Sequence, residues 1–336
     1  MKRAERIHLI GMILAGALAL MPAVAGAAEG AGSTGASYLL HPVGSKSIAM
    51  GEVKSALLGD PFSWLSNPAT LNDMTGHGLG LFHAEWIIDT RYDNVSYTYR
   101  LNDKVIFGGG FLFTYRPDIQ GYDEAGIETM ELKSNNYQVV LGIGFAPIDN
   151  LMTGVNVKYF KEKLDESTAG GVGVDLGCLY QVDRTGTTFG IAVQNLGQDI
   201  SFNGLDEPLP LTFRGGASQT VIPKEGIVAV SAAFDLVKPR FEDLYVGAGV
   251  ELEMCDVLAV RVGYCGQESR PGSGFTLGGG FTVRETVTID YAWTPHGDLG
   301  DFHHISIFFG VPKKEAQTQS LLHNLPDQSA HAGEPR

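Results

Sequence analysis

Seven ionisable residues sit inside otherwise apolar, alternating stretches: Lys158, Asp175, Arg214, Asp235, Glu251, Arg261 and Asp290. Lys158 lies between Val157 and Tyr159, Asp175 between Val174 and Leu176, Arg261 between Val260 and Val262, and Asp290 between Ile289 and Tyr291. In an extended chain such neighbours point to the opposite face. Each charge therefore projects from one side of a strand whose other side is oily. Both signs occur, so the chemistry on offer is ion pairing across or along an enclosed polar face. Mutual pairing explains the seven more simply than a substrate relay does.

Two further sets carry groups that catalysis uses. His83 lies near Glu85, and His303-His304 lie near Ser306; a hydrolase needs such groups brought together with a third that orients them. Asp298 and Asp301, beside the same two histidines, would offer ligands to a divalent cation. No GxSxG elbow or HExxH pair surrounds either set. The runs Gly108-Gly109-Gly110 and Gly278-Gly279-Gly280 fall within strand patterns with no helix after them, so they are not phosphate loops. Cys178, Cys255 and Cys265 lack metal-type spacing, and Cys255 and Cys265 flank one strand, too far apart to bridge. The reading is of a protein that is not an enzyme, with no catalytic residue, no cofactor and no metal.

The elements that must position these residues are strands. Residues 287–310 show the pattern: Val287, Ile289, Tyr291 and Trp293 alternate with Thr288, Asp290 and Ala292, and Ile305, Ile307 and Phe309 alternate with His304, Ser306 and Phe308. About fourteen such segments run from 78 to 310, many of them near the roughly 9 to 11 residues that a tilted strand needs to cross a bilayer. Their connections alternate in length. Those at 102–104, 147–150, 183–186, 222–226, 254–256 and 284–286 are tight, whereas 116–136, 161–170 and 196–210 are long. Short inner turns and longer outer loops are the rule in bacterial membrane barrels, and an even strand count returns both ends of the barrel to the inner side. The expected fold is all-β: a transmembrane antiparallel β-barrel of about 14 strands, apolar outside and hydrophilic within. A charge on the lipid face costs roughly 2–4 kcal/mol near the midplane, so the seven charged residues are expected to face the lumen.

The rest of the chain divides around that barrel. Residues 1–27 read as a signal peptide: Lys2, Arg3 and Arg6, then an apolar core, then Ala25-Gly26-Ala27. Residues 28–77 lack sustained alternation and are expected to form a leader, flexible over 30–37, and a lumenal plug. One short helix is expected within 45–59, and Asn67-Pro68-Ala69 a turn with Pro at the start of another. Small inward residues, among them Gly108, Gly110, Gly142, Gly144, Gly278 and Gly280, would let the plug approach the wall closely. Residues 78–310 are the barrel, and 311–336 a disordered periplasmic tail. The chain has 336 residues and a formal charge of −14. It carries no basic patch, which excludes nucleic acid as a partner. The partners expected of an exported barrel are outer-membrane lipid and lipopolysaccharide, with the bacterial outer membrane as its location.

Several stretches resemble the PorV/PorQ family of outer-membrane proteins, itself similar to the FadL fatty-acid-transporter superfamily. They are Gly44 through Gly51, Trp64 with Ser66-Asn67-Pro68-Ala69, Val193 through Gly197, Pro208 through Leu211, Asp290-Tyr291-Ala292, and Gly297 through Gly300 with His304-Ile305-Ser306. They recur in order from about residue 36 to 310. The family usually continues Asn-Pro-Ala with Gly, where this chain has Thr70. The resemblance implies a fourteen-stranded barrel whose N-terminal plug carries the Asn-Pro-Ala segment. It implies one of two jobs: moving or binding hydrophobic small molecules at the outer membrane, or serving a type IX secretion system by binding exported protein cargo for surface attachment.

Overall fold

The computed structural model describes residues 34–182, 186–202, 204–222, 227–267, 274–284, 286–295 and 300–311. Within them 14 strands close into one barrel. In chain order the strands are β1 (His77–Glu85), β2 (Arg91–Arg100), β3 (Val105–Tyr115), β4 (Ile119–Tyr122), β5 (Glu128–Leu132), β6 (Ser134–Ile148), β7 (Leu151–Leu164), β8 (Ser167–Gln181), β9 (Thr188–Gly197), β10 (Ile200–Phe202), β11 (Leu205–Glu207), β12 (Thr212–Ile222), β13 (Val228–Pro239), β14 (Tyr245–Met254), β15 (Leu258–Cys265), β16 (Gly274–Val283), β17 (Val287–Thr294) and β18 (Phe302–Val311). The pairs β4–β5 and β10–β11 are separate hairpins; the others form the wall. Every pairing in the wall is antiparallel, and β18 closes on β1 with His83 opposite Ile305. Closure matters because a bilayer offers no water to an unpaired backbone group.

Burial alternates along the strands with a period of two. In β2 Tyr92, Asn94, Ser96 and Thr98 are buried, while Val95, Tyr97 and Tyr99 are exposed. The exposed set around the wall is apolar: Phe111, Leu141, Val157, Val172, Phe234, Val250, Val260 and Phe281 among others. The buried set holds the charges. A closed barrel with an oily skin and a charged interior is built to sit in lipid. No helix among the described residues is long and apolar enough to cross a membrane.

The start of β1 and the end of β18 share a rim with the tight turns, which makes that rim the inner one. At the outer rim the structure departs from the sequence expectation. The connection expected over 161–170 is mostly strand: β7 runs to Leu164 and β8 begins at Ser167. Above the bilayer both faces meet water, so apolar alternation stops although the ladder continues. The 116–136 and 196–210 connections each contain a hairpin.

Residues 34–76 run through the lumen from the outer rim to the inner one. Gly35 N–H donates to the Pro208 carbonyl at 3.1 Å and Ala36 is buried, so the end of the expected flexible leader is seated. The helix expected within 45–59 is one turn, α1 (Ser45–Ala49), packed against β15 to β18. The later turn, Pro68–Asp73, is a 3-10 helix against β3, β6, β7 and β8. Residues 1–33, the expected signal peptide included, and 312–336, nearly all of the expected tail, lie outside the described residues.

Glycine faces this segment where backbone meets backbone. A Cβ on Gly249 or Gly263 would run into Met50, and one on Gly278 into Ala49. On the opposite wall Gly108, Gly142 and Gly144 make room for Leu71, the first two also for Trp64. Gly280 instead makes room for Arg261. Gly249→Val is therefore expected to destabilise the folded barrel by about 1–3 kcal/mol through overpacking. Gly109→Ala, at an outward site with open space around it, is expected to be neutral. Heat-modifiable gel mobility and urea titration in detergent would measure both.

Candidate functional site

Each of the seven charged residues is buried on the lumenal side, and their neighbours fall into three joints, two of which bind the wall to residues 34–76. In the first, Arg261 bridges two carboxylates, Nε to Glu251 at 2.5 Å and Nη1 to Asp290 at 2.5 Å. Lys46 of α1 reaches the other oxygen of Glu251 at 3.1 Å. Two cations meet two anions, three strands are linked, and the helix is tied to them. Next to this joint, Ser45 N–H donates to Ser306 Oγ at 2.9 Å.

The second joint is Asp235 on β13. One of its oxygens accepts from the Lys54 and Ser55 N–H groups, each at 2.9 Å, and from Ser55 Oγ at 2.8 Å. Arg214 Nη2 lies 3.3 Å from the same oxygen and donates to the Glu52 carbonyl at 3.3 Å. A carboxylate that accepts main-chain N–H groups satisfies donors a non-helical buried segment would otherwise leave unmet.

The third joint distorts the wall. Lys158 Nζ lies 2.7 Å from Asp175 and donates to Asn195 Oδ1 at 3.1 Å. Between the pairs Val174–Leu196 and Leu176–Val193, β9 has two residues, Gln194 and Asn195, against Asp175 alone. That is a β-bulge. Asn195 adopts φ 60°, a left-handed conformation that Asn tolerates better than most residues. Its N–H donates to Asp175 Oδ1 at 2.8 Å, and its side chain donates to the Pro210 carbonyl at 3.0 Å. The β9–β12 ladder ends at Gln194 and Thr212. Beyond it come Pro208 and Pro210, which have no N–H to offer a ladder. Asn156, beside this joint, donates to the Trp64 carbonyl at 2.9 Å.

Asn67, Pro68 and Ala69 lie together at the start of the 3-10 turn. Asn67 caps it, accepting from Ala69 N–H at 3.1 Å, and donates across the segment to the Ser55 carbonyl at 2.5 Å. Pro68 takes the first helical position, where a missing N–H costs nothing. Arg100, not singled out in the sequence, closes the other end by donating to the Met74 and Asn72 carbonyls. Lys46, Asn156 and Asn195 were also missed. Asn156 shares the charged face of Lys158, a signal that period two already carried.

Among the described residues the hydrolase and cation candidates are not assembled. His304 and Ser306 face the lumen, whereas His303 faces outward and meets the Tyr291 hydroxyl at 2.7 Å. His83 also faces outward, with Asp93 at 2.7 Å. Asp298 lies outside the described residues; among those described, no group of three or more His, Cys, Asp or Glu is placed to hold a metal ion.

Beside the joints the lumen holds an apolar patch. Tyr38, Val43, Phe62, Phe82, Leu112 and Phe160 form one cluster, closed over from the outer side by Ile200 and Leu209. A cavity beside it, lined by Tyr38, Leu39, Val43, Leu112, Lys158 and Arg214 among others, has about 50 Å³ for water centres. That suffices for a few waters, and is well below the roughly 150 Å³ in which a cavity holds benzene.

No family model matches the chain, and no curated protein matches it. Solved structures do match in fold. The toluene transporter TbuX of Ralstonia pickettii has a TM-score of 0.56 at 17% identity, covering 79% of this chain and 96% of that one. The monoaromatic hydrocarbon channel CymD has 0.56 at 15%, covering 81% and 98%. A FadL homologue of Pseudomonas aeruginosa has 0.52 at 11%, covering 80% and 99%. Together with the oily skin, this places the chain among the barrels of the bacterial outer membrane. Its fold is that of FadL-like hydrocarbon transporters.

The first joint makes a charge-balance prediction. Lys46→Met leaves Arg261 alone with two carboxylates and is expected to destabilise the barrel. Adding Glu251→Gln restores neutrality, so the double variant is expected to lose less than the two single losses combined, by about 0.5–3 kcal/mol. Urea titration of the four proteins in detergent measures the coupling.

Proposed function

We propose that this protein moves small hydrophobic molecules across the outer membrane, with residues 34–76 acting as a seated plug. The observation that carries the reading is the apolar cluster of the lumen, Tyr38 to Phe160, which reaches from Ile200 of the outer hairpin to Ile48 and Ala49 of α1. A pore for polar solutes has no use for such a cluster, whereas a hydrophobic solute leaving water gains by contact with it. The likeness to transporters of toluene and other monoaromatic hydrocarbons supports the same reading.

A second reading makes the chain a PorV/PorQ-type partner of a type IX secretion system that binds exported cargo. The observation in its favour is the outer β4–β5 hairpin, where Ile119, Tyr122 and Ile127 are 50%, 62% and 64% exposed. A protein arriving from outside would meet this surface. The described stretches that resemble PorV/PorQ mostly line the lumen: α1 and Asn67 to Ala69 belong to the seated segment, and the Asn195 bulge ties β9 to Asp175 of β8. They serve either job.

Uptake decides between them. Cells lacking the protein are expected to take up labelled toluene or a labelled long-chain acid about tenfold more slowly than cells carrying it, a difference near 1.4 kcal/mol in barrier. Leu112→Asp, which puts a charge in the apolar cluster, is expected to behave like the deletion. Equal uptake in all three strains, with surface-attached proteins recovered by pull-down from outer-membrane fractions, would favour the second reading.

A further inference from the structure

The outer surface of the wall grades in polarity along the seam of β2, β1, β18 and β17. The register sets Arg91, Glu85, His303 and Trp293 side by side at the rim. One step further in come Asp93, His83, Ile305 and Tyr291, and one step below them Val95, Leu81, Ile307 and Ile289. The middle row holds a hydrogen-bonded His–Asp couple that faces outward. His83 Nδ1 lies 2.7 Å from Asp93 Oδ1, and the two side chains are 45% and 53% exposed. A groove of about 220 Å³ lies at the same place, lined by Leu81, His83, Asp93, Val95, Ile305 and Ile307.

The seven charged residues of the lumen avoid lipid by facing inward, as the cost of a charge in hydrocarbon demands. His83 and Asp93 do not. Ile305 beside them and the wholly apolar row beneath place the couple at the boundary between acyl chains and headgroups. The couple is half exposed, so in a spanning barrel lipid completes its surroundings. The hydrogen bond occupies one ring nitrogen of His83 and one oxygen of Asp93. The other nitrogen and the other oxygen are then one donor or acceptor and one acceptor. Such a pair suits neutral amide and hydroxyl groups better than a bare charge. Arg91, in the row above, supplies the fixed positive charge that a phosphate requires.

We propose that this seam seats one lipopolysaccharide molecule of the outer leaflet. An acyl chain lies in the groove over Leu81, Val95, Ile305 and Ile307. Its hydroxyl and amide groups meet the His83–Asp93 couple, and its phosphorylated head lies near Arg91. Phospholipid tails carry no such groups next to the head, which is why the assignment is to lipopolysaccharide. The inference rests on the outer-membrane reading of the barrel and is independent of what passes through the lumen.

The test is native mass spectrometry of the protein extracted from outer membranes in mild detergent, with identification of the retained lipid. Wild-type protein is expected to hold one lipopolysaccharide. His83→Leu combined with Asp93→Leu makes the wall uniformly apolar, and Leu81→Trp fills the groove. Each is expected to weaken retention by about tenfold, while heat-modifiable mobility shows that the variant barrels are closed. Undiminished retention in both folded variants overturns the proposal, as does phospholipid retained in place of lipopolysaccharide. A wild-type protein that fails to fractionate with outer membranes would remove the premise, and the proposal with it.

Discussion

A strand with hydrocarbon on one side has a single direction in which to satisfy a charge. In this barrel that direction is inward, and water is scarce there because the lumen is full. Each inward charge must therefore find its partner in the opposite wall, the next strand or the segment inside. Arg261 finds Glu251 and Asp290, Lys158 finds Asp175, and Asp235 finds Arg214. What is left over is met by main chain: two N–H groups on Asp235 and one on Asp175. An ion pair in such a place contributes little net stability once desolvation is counted. Its consequence is specificity, because a lumenal segment shifted by one residue would leave Asp235 and Glu251 facing the wrong groups.

Steric fit repeats the electrostatic one. Where the segment turns closely against the wall the wall has glycine, as at Gly249, Gly263 and Gly278, and Gly51 of the segment itself lies against the carbonyls of Ala248 and Tyr264 with φ 76°. Where the segment offers large side chains, such as Trp64 and Leu71, the facing wall again gives space, at Gly108 and Gly142. Charge complementarity and backbone clearance thus select one seating of residues 34–76.

The faces of the strands were legible in the sequence because lipid enforces alternation. Val155, Asn156, Val157 and Lys158 can be sorted without coordinates, and so can the seven charges. Their partners could not be. Lys46 and Glu251 are 205 positions apart, and no local pattern says that a lysine in a one-turn helix will reach β14. The outer ends were misjudged for the converse reason. At Lys161 to Leu164 the chain remains a strand while Glu162 and Lys163 erase the pattern, since nothing above the membrane asks for an oily face. The bulge at Asn195 was hidden as well. It puts two buried polar residues, Gln194 and Asn195, in succession on β9, and a polar pair at a strand end gives no apolar period that would reveal it.

The distribution of the joints bears on how anything could pass. Full removal of residues 34–76 would strip partners from Glu251 and Asp235 together and leave buried charge uncompensated on several strands, which is costly. α1 is held by β15 to β18 and the 68–73 turn by β3 and β6 to β8, so both halves of the barrel resist. The stretch 38–43 is held differently. Its polar ties include the one proton of the Tyr38 hydroxyl, shared between the Tyr137 and Lys161 carbonyls at 3.3 Å each, and a 2.8 Å hydrogen bond between His41 and Tyr92, and Tyr38 and Val43 also pack into the apolar cluster. Apolar packing can be exchanged for a hydrophobic solute at small net cost, whereas an ion pair cannot. If a hydrophobic solute passes as proposed, local displacement of 38–43, next to the small cavity it lines, is the movement that would leave the charged joints intact.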